Sequence, residues 1–301
     1  MKVLVAGGTG VVGRRLVPQL IARGHEVTAT TTSEAKLAGL ERMGAHAVVM
    51  NGLDAVSVGA AVAAAGPDVI VHQMTAIPPN LDTRHPERAF ATTNRLRAEG
   101  IDHLIAAAGA AGVPHIVAQS YASWNGIRTG GWVKGDDDPL DPGHVATPSL
   151  RHIEEALLPV GGAVLRYGWL YGPGASAGLV GPVRARRFAL VGSGTGYASW
   201  VHVDDAASAT VSAVELTASG VYNIVDDDPA PVGQWLPYLA SQLGAKPPLH
   251  LPAWLARPLA GEFVVGMMTE GRAFSNAKAK RELGWQLRFP SWRQGFREGL
   301  E

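Results

Sequence analysis

Gly7, Gly10 and Gly13 punctuate the segment VLVAGGTGVVG, and Gly8-Thr9-Gly10-Val11-Val12-Gly13 satisfies the spacing G-x-G-x-x-G between a β-branched run and an amphipathic one. Glycines in that context permit a tight turn. They also let backbone N–H groups, those of Val11 and Val12 included, approach a pyrophosphate at the positive end of a helix dipole. The chemistry they offer is dinucleotide binding. Choice between dinucleotides falls at the end of the second strand, where a carboxylate would hold a free 2′-hydroxyl and repel a 2′-phosphate. Thr31, Thr32 and Ser33 stand there instead, with no acid before Glu34, and the cations Arg14 and Lys36 lie close in sequence. NADP (NADPH) is therefore the expected cofactor. Asn51, Gly52 and Leu53, Gln73, Met74 and Thr75, Gln119, and Arg166, Tyr167 and Gly168 fall at later strand ends and complete the expected cofactor-binding set.

A site of this kind needs a parallel sheet to present it. Val3–Ala6, Val27–Thr30, Ala47–Met50, Val69–His72 and His115–Ala118 read as strands, and Ala163–Arg166 and Val221–Val225 extend the series. Helical patterns separate them. After Gly13, Leu16, Val17, Leu20 and Ile21 share one face, and Gly24 is a suitable stop. The fold class predicted is α/β, a Rossmann-type doubly wound parallel sheet with a smaller C-terminal substrate-binding part built from discontinuous segments. Residues 1–170 form the NADP-binding domain, its sheet completed by 201–225, with 171–200 and 226–301 as the substrate-binding part. Trp124–Pro148 and Tyr171–Trp200 lose periodicity, which in a compact domain marks a functional lid or a disordered loop.

Composition narrows the classes. Of 301 residues 47% are hydrophobic and 17% charged, and Lys plus Arg equal Asp plus Glu at 26 each, so no net field gathers nucleic acid or an anionic membrane. Cysteine is absent, which removes disulfides, thiolate metal sites and cysteine nucleophiles. No metal is expected: Asp136, Asp137, Asp138 and Asp141 lack the interleaved spacing of a calcium loop. The apolar stretch Leu251–Met268 contains Pro252, Arg257, Pro258 and Glu262 and reads as packed helices rather than a membrane span. A cytoplasmic protein is expected, with a homodimer as one option for its assembly.

Further motifs follow the glycine turn in order: LRYGWLYGPG at Leu165–Gly174, WVHVDDAA at Trp200–Ala207, GVYNIVDDDP with Asn223, and SNAKAKRELGW with Lys278 and Trp285. On these the chain resembles the extended, epimerase/dehydratase-like branch of the short-chain dehydrogenase/reductase superfamily over nearly its whole length. The resemblance implies NAD(P) chemistry on a small molecule. It also implies a Ser or Thr acting with a Tyr-x-x-x-Lys pair, in which Lys lowers the Tyr pKa and Tyr exchanges a proton with the substrate oxygen. Alignment puts Ser120 at the Ser position, Thr147 where Tyr belongs and Arg151 where Lys belongs. No Tyr-x-x-x-Lys occurs anywhere in the chain.

Members lacking that pair are similar to atypical reductases of bacterial antibiotic pathways. A polycyclic aromatic ketone is then the expected substrate, with the proton supplied by the substrate or another group. Tyr121, Trp124, His144, Tyr197 and His202 are the candidate substrate residues, Tyr121 and His144 also standing as alternative proton donors. Two alternatives stay open: a nucleotide-sugar epimerase or dehydratase retaining NAD, and a catalytically silent NADP sensor.

Overall fold

The computed structural model describes residues 1–78 and 82–300. Seven strands form the central sheet: β1 (Lys2–Ala6), β2 (Glu26–Thr31), β3 (His46–Val49), β4 (Val69–His72), β5 (His115–Tyr121), β6 (Ala163–Tyr167) and β7 (Gly220–Ile224). Their spatial order is β7-β6-β5-β4-β1-β2-β3, with every neighbouring pair parallel. All seven coincide with the runs read from the sequence to within a few residues. A parallel sheet buried on both faces selects such continuous β-branched runs, and all four residues of β4 are buried.

Helices α1 (Gly13–Ala22), α2 (Ala55–Ala65), α3 (Ala91–Ala111), α4 (Thr147–Leu157) and α5 (Val203–Glu215) cover the sheet. Strand alternation divides the core. Val3 and Val5 pack with residues of α1 and α5, whereas Leu4 and Ala6 pack with residues of α2, α3 and α4. Helix α1 stops as its sequence predicts: Gly24 takes φ +83° and His25 N–H closes onto the Leu20 carbonyl at 3.1 Å. Strand order reverses between β1 and β4, which opens a crevice at their carboxyl ends.

Three further helices, α6 (Val232–Gln242), α7 (Ala253–Glu270) and α8 (Trp292–Glu298), lie in the C-terminal part. They share an aromatic core with residues 171–200, in which Trp200, Trp235, Trp292, Tyr171 and Phe296 are fully buried. Trp169 stacks on Trp200 at 4.4 Å. Gly261 interrupts α7 at φ +87°, where a side chain would stand 3.0 Å from the Thr83 carbonyl oxygen, so the apolar stretch is two packed helical pieces. Among the described residues no helix is long and apolar enough to cross a membrane.

The segment after β5 is neither a free lid nor a disordered loop. Val133–Lys134 pairs with Ala273–Phe274, Asp141 N–H reaches the Asn125 carbonyl at 2.7 Å, and Arg128 bridges Asp141 and Glu270. Its Gly, Asp and Pro residues make turns fastened to the C-terminal part. Residues 171–200 are likewise ordered, with a helix at Ala177–Arg184 and short strands at Leu190–Val191 and Tyr197–Ala198.

Candidate active site

The glycine turn spans β1 and α1. Gly7 has φ +100°, and a Cβ there would meet the Gln73 carbonyl oxygen at 2.8 Å. A Cβ on Gly13 would lie 2.4 Å from the Gly7 carbonyl oxygen, so α1 packs against the turn as only glycine allows. Among the described residues a Cβ on Gly10 would meet only main-chain carbonyl oxygens, at 3.2 Å and beyond, and this middle position is where a ligand can approach the backbone. The turn fits a pyrophosphate. Val12 is buried and Val11 is partly exposed beside it.

At the end of β2 the hydroxyls form one cluster. Thr31 Oγ1 lies 3.5 Å from Thr9 Oγ1 and accepts the Ser33 N–H at 3.3 Å, while Thr32 and Lys36 are exposed. Arg14 is exposed too and donates to the Thr9 carbonyl at 2.9 Å, which holds its guanidinium above the turn. After β3, Asn51 accepts the Leu53 N–H at 3.1 Å, and Gly52 abuts Met74, which is buried. Thr75 is exposed at the end of β4, and buried Gln119 has an amide nitrogen without a partner among the described residues.

Several sequence expectations are reassigned. Arg166 is buried and holds Glu154 on α4 through two bonds of 2.7 and 3.0 Å, with its remaining nitrogen on the Asp136 and Asp138 carbonyls. It clamps the sheet to α4 and the loop, not a cofactor. Tyr167 is locked between Gln73 Nε2 at 2.7 Å and Thr210 Oγ1 at 2.6 Å, and burial pushes its hydroxyl up to about 12. Both Gln73 and Tyr167 thereby brace the sheet against α5. Gly168 is required by packing, since a Cβ would stand 2.9 Å from the Ser199 carbonyl oxygen. His202 caps α5: Nδ1 accepts the Asp204 N–H at 3.1 Å and Nε2 meets the Gly299 carbonyl at 3.0 Å, which leaves neither nitrogen for substrate. Tyr197 stacks on Trp132, which in turn receives the Arg272 guanidinium at 3.9 Å. Trp124 packs on Trp169 at 4.4 Å as the edge of the aromatic core.

The catalytic positions separate. Ser120, near the end of β5, is 1% exposed, and its hydroxyl has no partner among the described residues. By strand alternation it lies on the face covered by α3 and α4. Thr147, at the start of α4, donates to the Asp141 carbonyl at 2.6 Å and is buried. Its hydroxyl closes a turn. Arg151, one turn on, is exposed to solvent and is not placed to lower the pKa of a buried acid.

What the site brings together is Tyr121, His144 and a residue not anticipated, Arg97. His144 is buried against Phe263 and Tyr121, at 5.4 and 6.0 Å between ring centroids. Its Nδ1 accepts the Ala146 N–H at 3.2 Å, so the neutral ring carries its proton on Nε2, which has no partner among the described residues. Burial lowers its pKa to about 4, against the pull of Asp141. Burial raises the Tyr121 hydroxyl above its ordinary range, with the Arg97 charge opposing. Arg97, on α3, is 4% exposed, and its Nε has no acceptor among the described residues. The sequence does carry a signal for it. Thr93, Arg97, Gly100, Ile101, Leu104 and Ala108 form the buried stripe of α3, and Arg97 is its one charged member.

The chain is similar to known proteins over most of its length. The model of the NAD dependent epimerase/dehydratase family matches residues 3–225. A 3-diazoavenalumate denitrifying reductase from a Streptomyces species is 44% identical over 98% of this chain and 99% of its own length. A 2-alkyl-3-oxoalkanoate reductase from Stenotrophomonas maltophilia is 27% identical over 81% of this chain and 76% of its own length. Among solved structures, the UDP-glucose 4-epimerase of Thermus thermophilus in complex with NAD superposes with a TM-score of 0.78 at 22% identity, covering 100% of this chain and 98% of that one. The human epimerase family protein SDR39U1 with NADPH gives 0.78 at 23% identity, covering 100% and 99%.

Proposed function

This chain belongs to the NAD dependent epimerase/dehydratase family and is an NAD(P)H-dependent oxidoreductase, and we propose that it uses NADPH to replace an aromatic diazo group by hydrogen. The observation that carries the reading is the state of the acid position. Thr147 stands where the family's tyrosine belongs, its hydroxyl is bound to Asp141, and Arg151 faces solvent.

Carbonyl reduction leaves an alkoxide that must take a proton, and a positioned donor is typically worth roughly 10² to 10⁴ in rate. An arenediazonium group makes no such demand. When bound, the reduced nicotinamide supplies hydride. The arene gains that hydrogen with its two electrons, the C–N bond breaks, and N₂ departs with the bonding pair, so charge and atoms balance without a proton. The chain's residues then have three tasks. The turn from Gly7 to Gly13 seats the pyrophosphate, the hydroxyl cluster at Thr31 with Arg14 and Lys36 receives a 2′-phosphate, and the rings of Tyr121 and Phe263 that flank His144 exclude water. The 44% identical denitrifying reductase supports the same chemistry.

The test is stoichiometric. Purified protein, NADPH and a simple hydroxyarenediazonium salt should give one N₂ and one reduced arene per NADPH oxidised. NADPH oxidation without N₂ release, or no oxidation, counts against the reading. A second reading, reduction of a polycyclic aromatic ketone in antibiotic biosynthesis, is favoured by the Ser120 hydroxyl, which has no partner among the described residues and is able to orient a carbonyl. Oxidation of NADPH by such ketones, with none by diazonium salts, would select it.

A further inference from the structure

The guanidinium of Arg97 is the feature that the proposed chemistry leaves unused. A buried cation is ordinarily paired, because removing it from water without a counter-charge is costly. Arg97 has no such partner among the described residues. Its Nε finds no acceptor there, and the Tyr121 hydroxyl, which burial keeps protonated, supplies no counter-charge. Burial lowers its pKa to about 10, so it remains a cation at neutral pH. Arg97 lies on α3 between Asn94, whose amide donates to the Val145 carbonyl next to His144 at 3.4 Å, and Gly100, where a Cβ would stand 3.9 Å from His72 Nε2 at the end of β4, so it sits at the ligand-binding edge of the sheet, and its charge acts on His72, Tyr121 and His144. His72 cannot neutralise it: Nε2 is held by the Leu96 carbonyl at 2.9 Å, and burial keeps the ring uncharged. His144 is neutral as well and offers Nε2–H as a second donor without an acceptor among the described residues. Two buried donors on neighbouring segments, one of them charged and neither with an acceptor among the described residues, ask for an anionic acceptor.

We propose that Arg97 and the Nε2–H of His144 form a carboxylate subsite, and that the substrate is an aromatic acid held by its carboxylate. Its place in the reaction rests on the reading above, but its ligand does not. Guanidinium pairs with a carboxylate through parallel bonds that are stronger than neutral ones. An apolar wall from Tyr121 and Phe263, whose rings flank His144, suits the arene that such a carboxylate would carry.

The experiment measures binding apart from turnover. NADP-loaded protein is titrated calorimetrically with benzoate, phenylacetate and cinnamate and with their methyl esters. At least one acid should bind tenfold or more tightly than its ester, and Arg97→Gln should abolish the difference, with Arg97→Lys restoring part of it. NADP affinity should change less than threefold in both variants, which also reports that they fold. Equal affinity for acid and ester throughout the series, or discrimination that survives in Arg97→Gln, overturns the subsite. So does loss of NADP affinity in Arg97→Gln, which would assign the cation to the cofactor. Carboxylate binding that depends on Arg97, together with inert carboxylated diazonium salts, would sustain the subsite and refute the diazo reading. Equal turnover of acid and ester diazonium salts would do the reverse.

Discussion

The Thr147 hydroxyl donates to the Asp141 carbonyl at 2.6 Å, and this bond closes the turn from which α4 starts. A proton donor for catalysis must be free to reach the substrate, and this one is buried and engaged. Thr147→Val should therefore cost stability and little rate. Leaving the Asp141 carbonyl without its donor is worth about 1–3 kcal/mol, read as a lower denaturation midpoint at unchanged slope. The turnover number should stay within about threefold, since a lost catalytic acid would cost on the order of 10² or more. A hundredfold fall in turnover with an unaltered midpoint would return Thr147 to the chemistry.

Arg166 and Glu154 make a second test of structure against function. Their pair is buried on the arginine side and mostly buried on the other, so removing one partner strands a charge. Arg166→Met should destabilise the fold by about 3–5 kcal/mol, and Arg166→Met with Glu154→Met should recover most of that. Folded Arg166→Met protein should bind NADPH as the parent does. Weakened cofactor binding with intact stability is the outcome that would restore the cofactor role expected from the sequence.

These two residues show what the chain reveals locally and what it hides. The strands, the glycine turn and the helix stop at Gly24 follow from neighbours a few positions apart, and each is legible. The hydroxyl cluster at Thr31 is legible for the same reason. Arg166 and His202 sit at strand ends, where ligands bind, but their fate depends on distant partners. Glu154 reaches Arg166 from another element, and Gly299 reaches His202 across 97 residues. Arg97 is the converse case. Its place on the apolar stripe of α3 is visible in sequence, whereas its lack of a counter-charge among the described residues appears only when every packed element is in place.

Cofactor choice tests the end of β2. Thr31→Asp would put a carboxylate where the Thr31 hydroxyl now accepts the Ser33 N–H, a bond the new group can also accept. Its charge would repel a 2′-phosphate and accept from a 2′-hydroxyl. We expect kcat/KM with NADPH to fall at least about tenfold and that with NADH to rise, inverting the preference. An unchanged ratio of the two would place the phosphate elsewhere.

His144 supplies a pH dependence whose sign follows from its burial. In the unfolded chain the ring titrates near 6.5, whereas in the fold burial lowers the pKa to about 4. Between those values the unfolded state binds more protons, so stability rises with pH across this window and falls on acidification. The contribution is fully present above the unfolded pKa and is lost as pH drops toward the folded one. About 2 kcal/mol should disappear between pH 7 and pH 5 on this account. Asp141 favours the charged ring while Arg97 and Arg128 oppose it, so removing His144 itself is the clean comparison. His144→Phe, which keeps an aromatic ring against Phe263 and Tyr121, should show a shallower fall in denaturation midpoint over the same range. Parallel slopes for parent and variant would mean that other groups carry the acid sensitivity, and that the ring takes up its proton within the folded protein.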